Sequence, residues 1–294
     1  MFLNKIRRID LAEYSELTKE YTLKSVFTER DYMSAVMKIK NIELFSLSNK
    51  EKIVGVFPVN VIKRGFVRIF LPPPFTPYFN LLLSSVPDKE REKMRFLEET
   101  IGNYVSFLKA KFMYFSVPQS PDFDDSRHFS WSGASVSLRY TYIYSNNQMS
   151  ADSVDRMLKN RNIGEISEEY DFENSYNMLK VSYKNKPPVK LKEYLLLMES
   201  LKEKNLIKCF SSKDANVTFL LDRESSTAYT YNISGRETAP LIFSAATRGL
   251  LDGFSIDFHG ANTKRISLYK SMFNPKIKSY FSISGYHDFF KKFN

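Results

Sequence analysis

Two spacings of apolar residues alternate along the chain, one of about 3.6 residues for helices and one of two for strands. Residues 9–21 and 28–39 fit short amphipathic helices. In the second, Tyr32, Val36 and Met37 form the apolar stripe, and Thr28 followed by Asp31 resembles a capping box. IELFSLS (42–48) and KIVGVFPVNVIK (52–63) form a hairpin turned at Asn49-Lys50, with Pro58 marking an edge or a bulge. VRIFLPP (67–73) is a third strand and runs into the rigid loop LPPPFTPYFN. A charged helix is expected over 89–109, with Leu97, Ile101, Tyr104 and Leu108 on its apolar side. FMYFSVP (112–118) is a buried strand, and 120–133 is a polar and aromatic loop.

The second half repeats this order. SVSLRYTYIYS (135–145) alternates as a strand, two helices occupy about 151–180, and KPPVKLKEYLLLMESLKEKN is a helix begun by prolines. Three strands follow, LIKCFSS (206–212), NVTFLLD (216–222) and STAYTYNIS (226–234), and then the helix ETAPLIFSAATRG, closed by Gly249. Phe254, Ile256 and Phe258 alternate as a short strand. His259 to Asn262 break the pattern, and Ile266, Tyr269 and Phe273 resume it as a helix that stops before Pro275. KIKSYFSIS (276–284) is the last strand. Each half thus carries β-β-β-α-β, an α/β (α+β) organisation with a domain cut expected at 133/134, giving domains 1–133 and 134–294.

Composition narrows the chemistry. The 294 residues are 43% hydrophobic and include 25 Phe and 18 Tyr, enough to fill two cores with large rings. The net charge of +10 is shared evenly between the halves, which suits a small anionic ligand or weak polyanion attraction and says little about a dedicated nucleic-acid groove. Cys209 is the only cysteine, so a disulfide framework and a cysteine-based zinc site are excluded, and a reducing compartment is expected. His128, His259 and His287 stand apart, and no metal is expected. No apolar run approaches the roughly 20 residues of a membrane helix, and the first residues lack a leader pattern. A cytoplasmic location is expected. GxGxxG, GxxxxGK[ST] and GxSxG are all absent. The nearest anion cradle is Ser234-Gly235-Arg236, where a strand gives way to a helix; an ordinary β-α turn would look the same. Asp257 and His259 sit where another strand ends, as a candidate acid/base pair or merely as turn and helix-capping residues.

Several segments, taken in order, resemble the FemAB-like branch of the GNAT acyltransferases. Gly55-Val56-Phe57-Pro58 and Pro74-Phe75-Thr76-Pro77-Tyr78 match a strand ending in G-x-x-P and a following P-x-x-P-Y loop. Phe129 to Gly133 match F-x-W-x-G, followed by the T-Y of Thr141-Tyr142. MLKNRNIGEI is similar to the K-x-R helix segment. Asp257 to Gly260 match D-F-x-G, and Tyr269 to Phe273 match F/Y-K-x-x-F. The resemblance implies two tandem GNAT-like domains, each a mixed, mostly antiparallel sheet flanked by helices. It implies transfer of an acyl group from an acyl-CoA-type co-substrate to an amine acceptor, with no permanently bound cofactor. Asp257 or His259 would act as the base. Ser234, Gly235 and Arg236 would meet the donor's phosphates. Tyr78 and Trp131 would wall the substrate pocket, and Arg161 and Lys270 would contact the substrate or form salt bridges. The glycine-rich phosphate loop is reduced here, and His259 stands where the family places a small or acidic residue. A catalytically silent ligand- or partner-binding protein and a tRNA-dependent aminoacyl transferase remain alternatives.

Overall fold

The computed structural model describes residues 6–288 apart from 20, 22–24, 50, 85, 124, 146–165, 213–214, 236–237, 248–249 and 261. The chain forms two compact units, Met1–Arg139 together with Ser279–Asn294, and Tyr140–Lys278. The first unit therefore extends past the 133/134 position inferred from the sequence and takes back the C-terminal strand. No described helix is long and apolar enough to cross a membrane.

Unit 1 begins with β1 (Ile6–Ile9) and α1 (Leu11–Thr18). The first helix of the sequence reading is thus shorter and is preceded by a strand. Asp10 caps α1 by accepting from the Glu13 amide at 2.8 Å. A 3-10 turn (Val26–Thr28) leads to α2 (Arg30–Met37). The capping box expected from Thr28 and Asp31 does not form. Thr28 instead accepts from the Ser25 amide at 3.1 Å, and Glu29 occupies the cap position of α2.

The sheet of unit 1 contains β2 (Ile42–Asn49), β3 (Lys52–Arg64), β4 (Val67–Phe70), β6 (Tyr114–Pro118) and β13 (Lys276–Tyr286), with β5 (Leu82–Leu83) paired to β3. Its strand order is β1-β2-β3-β4-β6-β13. Among the described residues of unit 1, β4 and β6 run parallel, joined by α3 (Glu90–Lys111), as expected of a strand-helix-strand crossover. Phe57 lies edge-on to Tyr104 of α3 at 4.8 Å between ring centres, and Phe45 packs on Phe107 at 5.0 Å. These rings form the core between sheet and helix. The 120–133 stretch, expected as loop, contains the short helix α4 (Arg127–Trp131).

Unit 2 repeats the plan. Its order is β8 (Ser167–Glu168), β9 (Ile207–Ser212), β10 (Ala215–Asp222), β11 (Thr227–Gly235), β12 (Ser255–Asp257) and β7 (Ser135–Tyr144). Again a parallel pair, β11 with β12, is connected by a helix, α7 (Thr238–Thr247). One face of the sheet packs Val217, Phe219, Leu221, Ala228 and Ile256 against Leu241, Ile242 and Ala245 of α7. α5 (Phe172–Ser182) and α6 (Leu191–Glu203) cover the other face, and α8 (Lys264–Ser271) follows β12. The first of the two helices expected over 151–180 lies outside the described residues; the second is α5.

Candidate functional site

The site grows from the mismatch in length between β11 and β12. Their parallel pairing covers Thr227↔Ser255, Ala228↔Ile256 and Tyr229↔Asp257. Beyond that, β12 ends, while β11 runs on to Gly235, still paired with β10. A bulge lies at the start of this overhang: Thr218 pairs with Asn232 and Phe219 with Thr230, which leaves Tyr231 as the extra residue. The two strands thus part at Asp257, and the crevice opens outside the carboxyl ends of parallel strands, where α/β sheets commonly bind ligands.

Asp257 is 2% exposed, and its Oδ1 accepts from Thr141 Oγ1 at 2.6 Å and from the His259 amide at 2.7 Å. The second bond spans two residues, as in an Asx-turn. Asp257 therefore caps the turn, and the following helix has its own cap, Thr263, which accepts from the Ile266 amide at 3.4 Å. His259 adopts φ +53°, an uncommon conformation for a non-glycine residue. Its ring lies 5.3 Å from that of Tyr229, with Nε2 enclosed. Burial, reinforced by the positive charge of Lys270, holds the imidazole well below its ordinary value of 6.5, so it is neutral at physiological pH.

Lys270 is 8% exposed. Its ammonium donates to the carbonyls of Phe258 and His259, and to that of Gly260 at 2.8 Å. Burial pushes its pKa down to about 8, against the opposing pull of Asp257. The lysine thus grips three successive carbonyls of the turn. Neither a salt bridge nor a free cation awaiting a substrate describes it.

At the far end of the overhang, Ser234 is buried and Gly235 is exposed with φ +99°, a left-handed conformation that suits glycine where a strand turns into a helix. Thr238, in the first turn of α7, shares a 2.7 Å hydrogen bond with Tyr269 of α8. Arg236 and Arg161 lie outside the described residues. Within unit 2, then, Asp257, His259 and Lys270 come together at one turn, with Ser234 and Gly235 at the other end of the overhang. Sequence reasoning did not single out Thr141, Tyr229 or Thr230, which donates to the Asp257 carbonyl at 3.3 Å. Thr141 did lie in the T-Y segment that carried the resemblance.

The two remaining candidates belong to unit 1. Tyr78 is buried between Phe27 (6.1 Å) and Tyr280 (5.3 Å), both edge-on to it, so it is a core residue. Trp131 is 60% exposed at the end of α4, with Arg127 over its ring at 5.6 Å and His128 at 5.0 Å. Arg127 also lines a groove of about 420 Å³ between α3 and α4, bordered by Glu90, Lys93 and Asp125.

Where β4 and β6 part, the counterpart crevice of unit 1 is filled by its own chain. The Phe79 amide donates to the Pro118 carbonyl at 3.0 Å, and the Phe79 ring packs on Phe70. Thr76 in the same loop shares a 2.7 Å hydrogen bond with Tyr32.

Two units, each an antiparallel meander, a crossover helix and one parallel strand pair that splays, define the fold of tandem GNAT-type proteins. Among solved structures, FemX superposes with a TM-score of 0.57 at 9% identity, over 94% of this chain and 96% of its own. A tandem GNAT protein from the clavulanic acid biosynthesis pathway superposes with 0.58 at 7% identity, over 96% and 98%. A conserved protein of unknown function from Bacteroides thetaiotaomicron gives 0.56 at 10%, over 95% and 98%. No protein-family model and no curated protein matches the sequence.

Proposed function

We propose that the chain is an N-acyltransferase that binds an acyl-CoA-type donor in unit 2. The observation that carries this reading is the overhang of β11 beyond β12. An extended, amide-bearing donor arm can pair with that strand edge as an added strand does. The donor's phosphates would then meet Ser234, Gly235 and Arg236 ahead of α7. Unit 1 lacks this room because Tyr78 and Phe79 occupy its crevice.

In the reaction, an amine nitrogen attacks the thioester carbonyl, the C–N bond forms and the C–S bond breaks. The nitrogen loses a proton as it becomes an amide nitrogen, and the departing thiolate gains one from solvent. His259, kept neutral, is the group suited to take the proton from nitrogen. Asp257 and Lys270 act through it as positioning residues that fix the turn. Arg161 is a proposed substrate contact. A free acyl-CoA co-substrate and a single buried thiol fit the cytoplasm.

One feature favours a second reading, a catalytically silent binding protein: the hydrogen bonds of Lys270 have a complete structural purpose in holding the turn. Calorimetric titration with acetyl-CoA, longer acyl-CoAs and charged tRNA separates the readings. Saturable binding of one acyl-CoA per chain is expected. No binding at millimolar concentration ends the proposal. Salt-sensitive binding of tRNA alone would move the donor to an aminoacyl-tRNA. Donor binding without transfer to any amine offered would establish the silent reading.

A further inference from the structure

The two faces of β11 differ in kind. Toward α7 it presents Ala228 and Ile233 to an apolar core. Toward α5 and α6 it presents Asn232 and Ser234, cross-strand from Thr218 and Asn216. Asn216 and Asn232 belong to a buried hydrogen-bond network. Ser175 donates to Asn216 Oδ1 at 2.9 Å, and Asn216 Nδ2 donates to Ser211 Oγ at 2.9 Å. Asn232 Nδ2 donates to Ser175 Oγ at 2.9 Å and to the Tyr194 hydroxyl at 2.8 Å.

With the Asn216 carboxamide oxygen turned toward Ser175, the count of protons orients Asn232 as well. The single hydroxyl proton of Ser175 goes to Asn216, so the 2.8 Å contact between Ser175 and Tyr194 uses the proton of Tyr194. Neither hydroxyl has a proton left for the Asn232 carboxamide, which must therefore turn its NH2 toward them and its oxygen away. That oxygen has no hydrogen-bond partner, although Asn232 is only 3% exposed. The hydroxyl of Ser234, 1% exposed, is also without a partner. Buried polar atoms left unsatisfied are rare and call for a cause. Both lie on one face of the stretch of β11 that outruns β12.

We propose that Asn232 is a ligand-binding residue whose carboxamide oxygen accepts an N–H group of a substrate held along this overhang, with the Ser234 hydroxyl as a second contact. Ser175 and Tyr194 position it by holding the NH2 end. The inference rests on the transferase reading and deepens it. Two substrates carry such an N–H: the amine acceptor, and the amides in the arm of a CoA-type donor.

The test uses the full chain with Asn232→Leu, which keeps the branching at Cγ, and Ser234→Ala, which leaves the network intact. Acetyl-CoA affinity is read by calorimetry, and amine binding by thermal shift with putrescine, L-lysine and glucosamine. Loss of one hydrogen bond to a neutral group predicts about tenfold weaker binding for Asn232→Leu and roughly threefold for Ser234→Ala. Weakening of acetyl-CoA binding assigns the N–H to the donor arm, and weakening of amine binding alone assigns it to the acceptor. Ser234→Ala should also raise the melting temperature, because it removes an unsatisfied buried group, and that gain should accompany weaker binding. A higher melting temperature with unchanged binding in both variants overturns the proposal while leaving the transferase reading standing. So does a crystal structure with acetyl-CoA in which one water still bridges Asn232 and Ser234. Failure of the unaltered protein to bind acetyl-CoA or any amine brings down both.

Discussion

At the scale of single residues, the turn after β12 shows how an acid, a histidine and a lysine divide their work. Replacing Lys270 by Met would leave the carbonyls of residues 258–260 without their donor. A loss of roughly 2–3 kcal/mol in a denaturant titration is expected, the usual cost of stranding buried polar groups. His259 governs behaviour in acid. Its folded-state pKa lies below 6.5, the value it takes in the unfolded chain. As pH falls through about 6.5, the unfolded chain binds a proton that the folded chain refuses, so stability declines. His259→Asn, which tolerates the left-handed backbone, should flatten this decline below pH 6.5 without abolishing it, because burial lowers His128 as well. Asp257 and His259 were visible in the sequence as D-F-x-G at the end of a strand. Thr141, which completes the acid's environment, lies 116 residues from Asp257, and only the folding of β7 beside β12 brings them together. The role of Lys270 was hidden for a related reason: a main-chain carbonyl leaves no mark in a sequence.

At the scale of elements, the order β-β-β-α-β was legible in both halves because each element is written in local periodicity, whereas the direction of the last strand was not. Nor was the direction in which the proline loop turns its aromatic rings. A pocket wall and a core plug share one composition, and Tyr78 proves to be the plug, packed on Phe27 and Tyr280. Tyr78→Ala should therefore cost about 3–5 kcal/mol of stability, as large-to-small changes in cores do. It should leave acetyl-CoA affinity unchanged, since the donor is assigned to unit 2. Calorimetry beside a urea titration checks both. Asn232 was equally silent: STAYTYNIS announces a strand, but whether a polar face is solvated or covered depends on α5, a distant segment.

At the scale of the molecule, the sequence pointed to two similar halves and to a cut at 133/134, whereas the first unit is completed by the C-terminal strand. Five residue pairs, Ser282↔Pro118 through Tyr286↔Tyr114, fasten β13 to β6. The register is fixed by Gly285, where an added Cβ would lie 2.7 Å from the Phe115 ring. A fragment ending at residue 133 should therefore melt broadly and at lower temperature than the same fragment joined through a short linker to residues 276–294. Circular dichroism checks this.

The same returning strand sets a timetable for synthesis. Translation delivers β7 before the rest of unit 2, so that unit has every strand it needs once β12 has emerged. β6, made much earlier, keeps an open backbone edge until β13 has left the ribosome. Exposed edges invite wrong pairing while they wait. The half that is made first is thus completed after the other, and the interval before β13 emerges is when it is most open to aggregation.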